Sequence, residues 1–401
     1  MATQKDDSGL TRALLLGGSA VPLRRHDDGS SWRDWVRAAS TDALTDAGVE
    51  AHDIDAVIVA SESDFFSLQV APGSVIVDDI GLVPCPVMRV ESGGASGAAA
   101  LRAGFMHIAA HQARAVLVIG FEQTASHLSG DDVRMIYGLS FDADLEGMAG
   151  ATAVNLYALS IKEHMQQFGT TAEQLAQVAV KNHANACHNP WAQRPMTLTI
   201  GEVLASPMVS APYHLLDCST ISDAAAAVVL CDPRYAPPSS RPRVCIAGSG
   251  CASDYVRLGD RATRYRFEAK ARSSQTAYAM AGISDPASEI DVAEVYDAFS
   301  GAEIQGVEAL GLCAEGHGGA ACVGGDFAAD GRVPVNLSGG LIGQGGAPGA
   351  TGILQALTIE RLLTGRYWPE AQPRRDLRVG LADAHGGICA VSITHVLQRL
   401  D

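Results

Sequence analysis

The chain has 401 residues, 47% of them hydrophobic but only 5% aromatic, with 42 glycines and a formal net charge of −16. That length is too great for one ordinary core and predicts two domains or a large layered α/β unit, and the glycine-rich, aromatic-poor composition excludes an aromatic-rich binding module. The negative charge excludes long-range steering of polyanions, so neither nucleic acid nor an anionic membrane surface is an expected partner, although a local basic patch can still hold a small anionic ligand.

Met1 to Leu10 is polar and is read as loose. No secretory signal precedes the first strand, and no apolar run approaches the ~20 residues that span a bilayer, so a soluble, cytoplasmic protein is expected. Nine cysteines (85, 187, 218, 231, 245, 251, 313, 322 and 389) are scattered without paired spacing, which predicts reduced, mostly buried thiols.

Arg12 to Leu16 reads as a strand, Ser31 to Ala47 as a helix, and Asp53 to Ser61 as a buried strand with a polar start. The alternation continues with a strand over Pro86 to Val90, a helix over Ala95 to Gln112 and the apolar strand Ala113 to Glu122. That rhythm predicts a parallel sheet covered on both faces. From Gln123 to about Pro212 helical patterns continue with no core strand, so the segment reads as an insertion capping a site, before "DAAAAVVLCD" resumes the sheet. A Pro/Arg/Ser linker over Ser239 to Val244 opens a second half with the strand "VCIAGSG", a helix over Arg272 to Ala281 and the strand "DVAEVYD". The expected organisation is two pseudo-repeated halves, 1–238 and 239–401.

The chain is organised around "VESGGASGAAAL" (Val90 to Leu101), where an apolar strand passes through a glycine turn straight into a helix. A helix N-terminus presents unpaired N–H groups and a partial positive charge, and glycines admit a substrate oxygen close to them, so an oxyanion is favoured there. The same grammar recurs in "GGLIGQGGAPGATG" (Gly339 to Gly352), again leading into an apolar helix.

Five ordered blocks, "VESGGASGAAAL", "APYHLLDCSTISDAAAAVVL", "VAEVYDAFSGAEI", "NLSGGLIGQGGAPGATG" and "ADAHGGICAVSITHVL", resemble the thiolase superfamily over essentially the whole chain, in its branch of sterol-carrier-type and archaeal thiolases. The resemblance implies a five-layer α-β-α-β-α fold with an inserted cap, and a CoA thioester as substrate. It also implies catalytic side chains that are missing. The nucleophilic Cys position is Gly94, the Gly-His-Pro run is Gly345-Gly346-Ala347, and the His of the strand-end block is Tyr296.

Tyr296 is either a satisfied buried aromatic or, because it ends a core strand where the family has a His, a proton-transfer group; a phenol can act as an acid, or as a base where donors stabilise its phenolate. His385 and Asp383, in the last block, lie where related enzymes have a catalytic loop; the alternatives are a structural histidine and a loop-capping carboxylate. Backbone groups at Gly94, Ala95, Ser96, Gly346 and Gly387 are expected to bind the oxyanion, with the Ser96 side chain belonging to the turn. His183 and His188 have no third ligand, so no metal is expected. Cys218, after Asp217, is the place for a replacement thiol, against the alternative of a structural one.

A carbon–carbon lyase best fits these losses. Cleaving a 3-hydroxyacyl-CoA by a retro-aldol step needs the thioester enolate that thiolases stabilise but no acyl-enzyme, so losing the Cys removes nothing essential. The pattern resembles thiolase-like steroid side-chain aldolases, which work with a small zinc-ribbon/OB-fold partner. That implies a homodimer, such a partner, and no cofactor beyond the CoA thioester substrate. The alternatives are a non-catalytic scaffold subunit and an acyltransferase using another Cys.

Overall fold

The computed structural model describes residues 12–400, so the stretch Met1 to Leu10 lies outside the described residues. Nine strands form one sheet: β1 (Ala13–Ala20), β2 (Ala56–Ala60), β3 (Val87–Val90), β4 (Ala115–Glu122), β7 (Ala224–Cys231), β8 (Arg243–Ser253), β9 (Val292–Glu294), β10 (Val379–Gly386) and β11 (Val391–Leu400). A two-stranded hairpin, β5 (Met208–Ser210) and β6 (Tyr213–His214), lies apart in the cap segment.

The order across the large sheet is β3-β2-β4-β7-β1-β8-β11-β10-β9. Read outward from the β1–β8 junction, the two sides repeat each other. β7 is antiparallel to β1 and β4 as β11 is to β8 and β10, and β2 is parallel to β4 as β9 is to β10. β3 lies parallel beside β2, and its counterpart on the other side shrinks to a single parallel bridge between Ala293 and Val335. The sheet is therefore mixed, not parallel as the alternation predicted, because the last strand of each half, β7 after the cap excursion and β11 after the short turn that follows β10, runs back antiparallel between its neighbours.

Burial on both faces is nevertheless correct, and the residue alternation shows how it is achieved. In β7, Ala224, Ala226, Val228 and Leu230 join the inner core, while Ala225, Ala227 and Val229 join an outer core under the helix Trp32–Ala47. β2 and β4 divide their side chains in the same period of two. Each fully buried Val or Leu here contributes roughly 1.5–3 kcal/mol. The helix Glu268–Ala281 covers β8 and β11 as Trp32–Ala47 covers β1 and β7. Between the two sides lie the helices Ser96–Ala109 and Pro348–Leu363, which complete the five layers.

These central helices meet through glycines at their N-terminal turns. A Cβ on Gly97 would come within 2.7 Å of the Gly349 carbonyl oxygen and 2.9 Å of the Gly352 nitrogen. The two glycine motifs read from the sequence are thus one contact, in which each motif gives up side chains so that the backbones can touch.

Boundaries shift for local reasons. β1 runs past its predicted end to Ala20 because a bulge between Leu15 and Gly17 re-registers it against β7. β9 stops at Glu294, since Val295 donates its N–H to the Asn336 side chain and the chain turns outward. The segment after β4 is helical, with helices Gly130–Gly138, Ala153–Phe168 and Ala172–Ala186, and adds no strand to the large sheet. No helix among the described residues is long and apolar enough to cross a membrane.

Candidate active site

The ends of β2, β9 and β10 and both glycine turns converge on a cavity of about 250 Å³. Gly94, Tyr296, His385, Gly346, Gly387, Glu62 and Tyr157 are among its lining residues, and Thr152, Val154 and Phe299 give it an apolar side toward the cap. This is the crevice beyond the strand ends where α/β sites form.

Tyr296 follows β9 and packs against Ala95, Ala98, Leu341, Ala384 and Ile393. Its ring lies 4.6 Å from that of His385, centroid to centroid. Burial, and then the negative charge of Glu62, Asp297 and Asp383, raise its phenol well above the ordinary range. It is therefore a proton donor and not a phenolate base. The same turn is fixed by Asp297, which accepts from Leu341 N–H at 2.6 Å and from the Asn182 side chain at 2.7 Å. Asn182 also donates to Glu303, which pairs with Lys181 at 3.0 Å. Burial and Glu303 push the Asp297 carboxyl well above its usual range.

Gly94 has no side chain because Tyr296 occupies the space. A Cβ there would fall on the Tyr296 hydroxyl and within 2.6 Å of the His385 carbonyl oxygen. A nucleophilic side chain at 94 and the phenol of Tyr296 cannot share this volume.

His385 ends β10, fully buried, with Nε2 at 2.5 Å from the Tyr157 hydroxyl, which also donates to the Gly387 carbonyl at 3.0 Å. Burial, then Lys270 and Arg261, hold the imidazole pKa well below its ordinary value, so it is neutral. Its Nδ1 is buried and has no hydrogen-bond partner among the described residues.

The structure separates several residues that the sequence grouped with these. Asp383 does not line the cavity: it forms a fully buried ion pair with Lys270, accepts from Ser392 at 3.3 Å, and accepts the Tyr296 N–H at 3.4 Å. Its carboxylate is thus engaged by Lys270, Ser392 and the Tyr296 backbone. Ala95 and Ser96 are also absent from the lining, and their N–H groups are committed to Ser92 and Gly93 carbonyls at 3.1 and 3.0 Å. Gly346 lines the cavity, but its N–H donates to Thr220. Of the five expected oxyanion positions, Gly94, Gly346 and Gly387 are at the cavity wall, and of these Gly346 has its N–H already committed.

None of the nine cysteines lines the cavity. Cys218 donates to the His214 carbonyl, and burial and Asp217 push its thiol up to about 12, the opposite of what a nucleophile needs. His183 places its two ring nitrogens near the carbonyls of Arg194 and Leu216, which makes it a loop fastener.

Three residues escaped the sequence reading: Tyr157, Glu62 and Glu122. Tyr157 sits in an ordinary amphipathic helix, and nothing local marks it. The glutamates do carry a signal, since each is a carboxylate at the C-terminal end of a buried apolar strand, β2 for Glu62 and β4 for Glu122. Burial, with Glu91 adding to it, raises Glu62 to about 7 despite its hydrogen bond from Ser140.

A layered repeat with two glycine-to-helix turns facing one crevice defines a thiolase-type fold. The family descriptions "Thiolase, N-terminal domain" and "Thiolase C-terminal domain-like" match residues 28–196 and 250–399. The chain belongs to the thiolase superfamily, in its sterol-carrier-protein-2-type branch. It is 39% identical to an acetyl-CoA acetyltransferase of Methanothermobacter thermautotrophicus over 92% of this chain and 95% of that one. Sterol carrier protein 2 of Oryctolagus cuniculus is 28% identical over 89% of this chain and 67% of its own length. Among solved structures, an Ltp2-ChsH2(DUF35) aldolase superposes with a TM-score of 0.83 at 24% identity, covering 97% of this chain and 98% of that one. At that identity the superposition speaks for the fold alone.

Proposed function

We propose that the protein is a retro-aldolase that cleaves the C2–C3 bond of a bulky 3-hydroxyacyl-CoA, a steroid side-chain thioester being the favoured class, without forming an acyl-enzyme. The observation that carries this reading is that Tyr296 fills the space a nucleophile at position 94 would need. In the reaction the C3 hydroxyl loses its proton, the C2–C3 bond breaks to release a carbonyl compound, and the thioester becomes an enolate. In this reading the backbone N–H groups of Gly94 and Gly387, two residues of the cavity wall, hold the enolate oxygen, and the neutral phenol of Tyr296 returns a proton to C2. Both products leave without a redox change, so the chemistry calls for no cofactor.

The relatives named acetyl-CoA acetyltransferase favour acyl transfer as the competing reading. Against it stand Gly94 and a cavity wall free of cysteine. The resemblance of the sequence to two-component steroid side-chain aldolases is what favours a partner protein here, of zinc-ribbon/OB-fold type. A symmetric homodimer through the outermost strand β3, where Met88 is exposed, completes the proposed assembly.

The test is a panel of 3-hydroxyacyl-CoA thioesters of increasing C3 bulk, incubated with the protein as purified from its native complex. The reading expects a trapped carbonyl product and a shortened acyl-CoA in equal amounts, with no acyl adduct in the intact mass of the protein. An acyl adduct would support the acyltransferase; no product from any thioester would support a scaffold subunit.

A further inference from the structure

The cleavage needs a base for the substrate hydroxyl, and the residues already placed do not supply one. Tyr296 is held as a neutral phenol, and the imidazole of His385, buried beside Lys270 and Arg261, resists taking a proton. We propose that Glu62 is the general base that removes the proton from the C3 hydroxyl.

Glu62 lies two residues beyond the end of β2 and lines two cavities at once. One is the cavity of Gly94, Tyr296 and His385. The other, of about 420 Å³, adjoins it and is bordered by Glu91, Gly93 and Gly386. The carboxylate is held from one side only: Ser140 donates to Oε1 at 2.7 Å, whereas Oε2 is buried and has no hydrogen-bond partner among the described residues. A carboxylate that lines the reaction cavity and keeps one acceptor oxygen uncommitted is what a hydroxyl donor requires.

Its backbone is fixed as well. The Glu62 N–H donates to Glu122 Oε1, which also accepts the Gly349 N–H at 3.1 Å, so the base is tied to the start of a central helix. The titratable groups around it are acidic or neutral: Glu91 after β3, Glu122 from β4, Tyr137 from the helix Gly130–Gly138, and Tyr296 after β9. Of the nearby cations, Arg89 is engaged by Asp64 and by the Ser61 carbonyl, and Arg134, which lines the same cavity, is paired with Asp131. Burial and then Glu62 push Glu122 well above the carboxylate range, so Glu122 stays neutral while Glu62 titrates. With its pKa at about 7, Glu62 is a far stronger base than an ordinary carboxylate and is still about half ionised at neutral pH.

The step balances internally. Glu62 takes the hydroxyl proton, the O–H pair becomes the C3=O π bond, and the C2–C3 pair moves into the enolate. Tyr296 then protonates C2, the thioester carbonyl re-forms, and the proton on Glu62 returns to the Tyr296 phenolate.

This inference rests on the retro-aldolase reading, and three measurements separate the two. With a thioester from the panel that the wild type cleaves, kcat/KM should rise with pH through a midpoint of about 7. Glu62→Gln should lower it roughly 10²–10⁴-fold and abolish the rise, with substrate affinity changed only a few-fold. Ser140→Ala, which removes a bond to the ionised form, should move the midpoint upward. A Glu62→Gln variant that cleaves at the wild-type rate and keeps the pH profile overturns the assignment of Glu62 and leaves the lyase reading standing. No cleavage by the wild type overturns both. Independently of activity, carbon-13 NMR of glutamate-carboxyl-labelled protein should show a signal, missing in Glu62→Gln, that titrates near 7; titration near the ordinary ~4.3 would overturn the proposal.

Discussion

A Cβ placed on Gly94 lands on the hydroxyl of Tyr296, so the absence of a nucleophile at 94 and the presence of a phenol at 296 are one packing fact seen from two sides. Restoring a side chain at 94 therefore meets steric resistance before any chemistry begins.

Gly94→Ala should destabilise the fold by about 1–3 kcal/mol through overpacking. Tyr296→Phe removes the oxygen that the new methyl would strike, so the double substitution should cost less than the sum of the singles. A denaturant-melt double-mutant cycle measures that coupling. Simple additivity would mean that the two positions do not share the volume.

Asp383 should behave as a fastener. Removing one partner of the buried Lys270–Asp383 pair leaves an uncompensated charge, at a cost of about 3–5 kcal/mol, so Asp383→Asn is expected to lower Tm sharply. Lys270→Met combined with Asp383→Leu should recover a large part of that loss. A stable Asp383→Asn protein with unchanged Tm and abolished turnover would restore Asp383 to the chemistry.

Alkylation by iodoacetamide should leave cleavage largely intact. Cys187 and Cys251 are exposed and should label, but neither lines the cavity. The buried and half-buried thiols of Cys218, Cys313, Cys322 and Cys389 are all pushed up to about 12 and react slowly. Substrate-protected inactivation, followed by peptide mass mapping to a single cysteine, would point to acyl transfer.

His395 predicts a pH dependence of stability. Fully buried in β11, with Nε2 placed 3.0 Å from the Ala98 carbonyl, it is shifted down to about 4, chiefly by burial. Its folded pKa lies below the unfolded 6.5, so the unfolded state binds more protons as pH falls through that range. The histidine's contribution is complete above pH 6.5 and is lost toward pH 4 at about 1.4 kcal/mol per pH unit, or up to about 3 kcal/mol in all. Equilibrium unfolding of wild type and His395→Gln across that range should show the wild-type advantage shrinking as acid is added.

Much of the architecture could be read from one-dimensional pattern. The alternating apolar runs located β2, β4 and β7, and the two glycine motifs located the crossing of the central helices, because both signals are local. Strand direction was not legible: β7 reads like β4 in hydrophobicity, and only the long cap excursion between them reverses it. Within the site, Tyr296, His385 and Gly94 were found because strand ends and glycine turns mark them in sequence. Asp383, two residues before His385, shares its strand and its segment, and only Lys270, 113 residues away in sequence, shows that its charge is already spent. Tyr157 becomes a functional candidate only when distant elements meet, through its His385 contact, whereas Glu62 is marked in sequence by its place just after a buried strand and gains its setting from the distant Ser140 bond.

The lyase mechanism stands or falls on the turnover of Tyr296→Phe against wild type on a 3-hydroxyacyl-CoA thioester, read as matched release of carbonyl compound and shortened acyl-CoA. The wild type should cleave the thioester, and the variant should do so at a roughly 10²–10⁴-fold lower rate, with folding and thioester binding little changed. Cleavage by Tyr296→Phe at the wild-type rate, or no cleavage by the wild type at all, would contradict the mechanism.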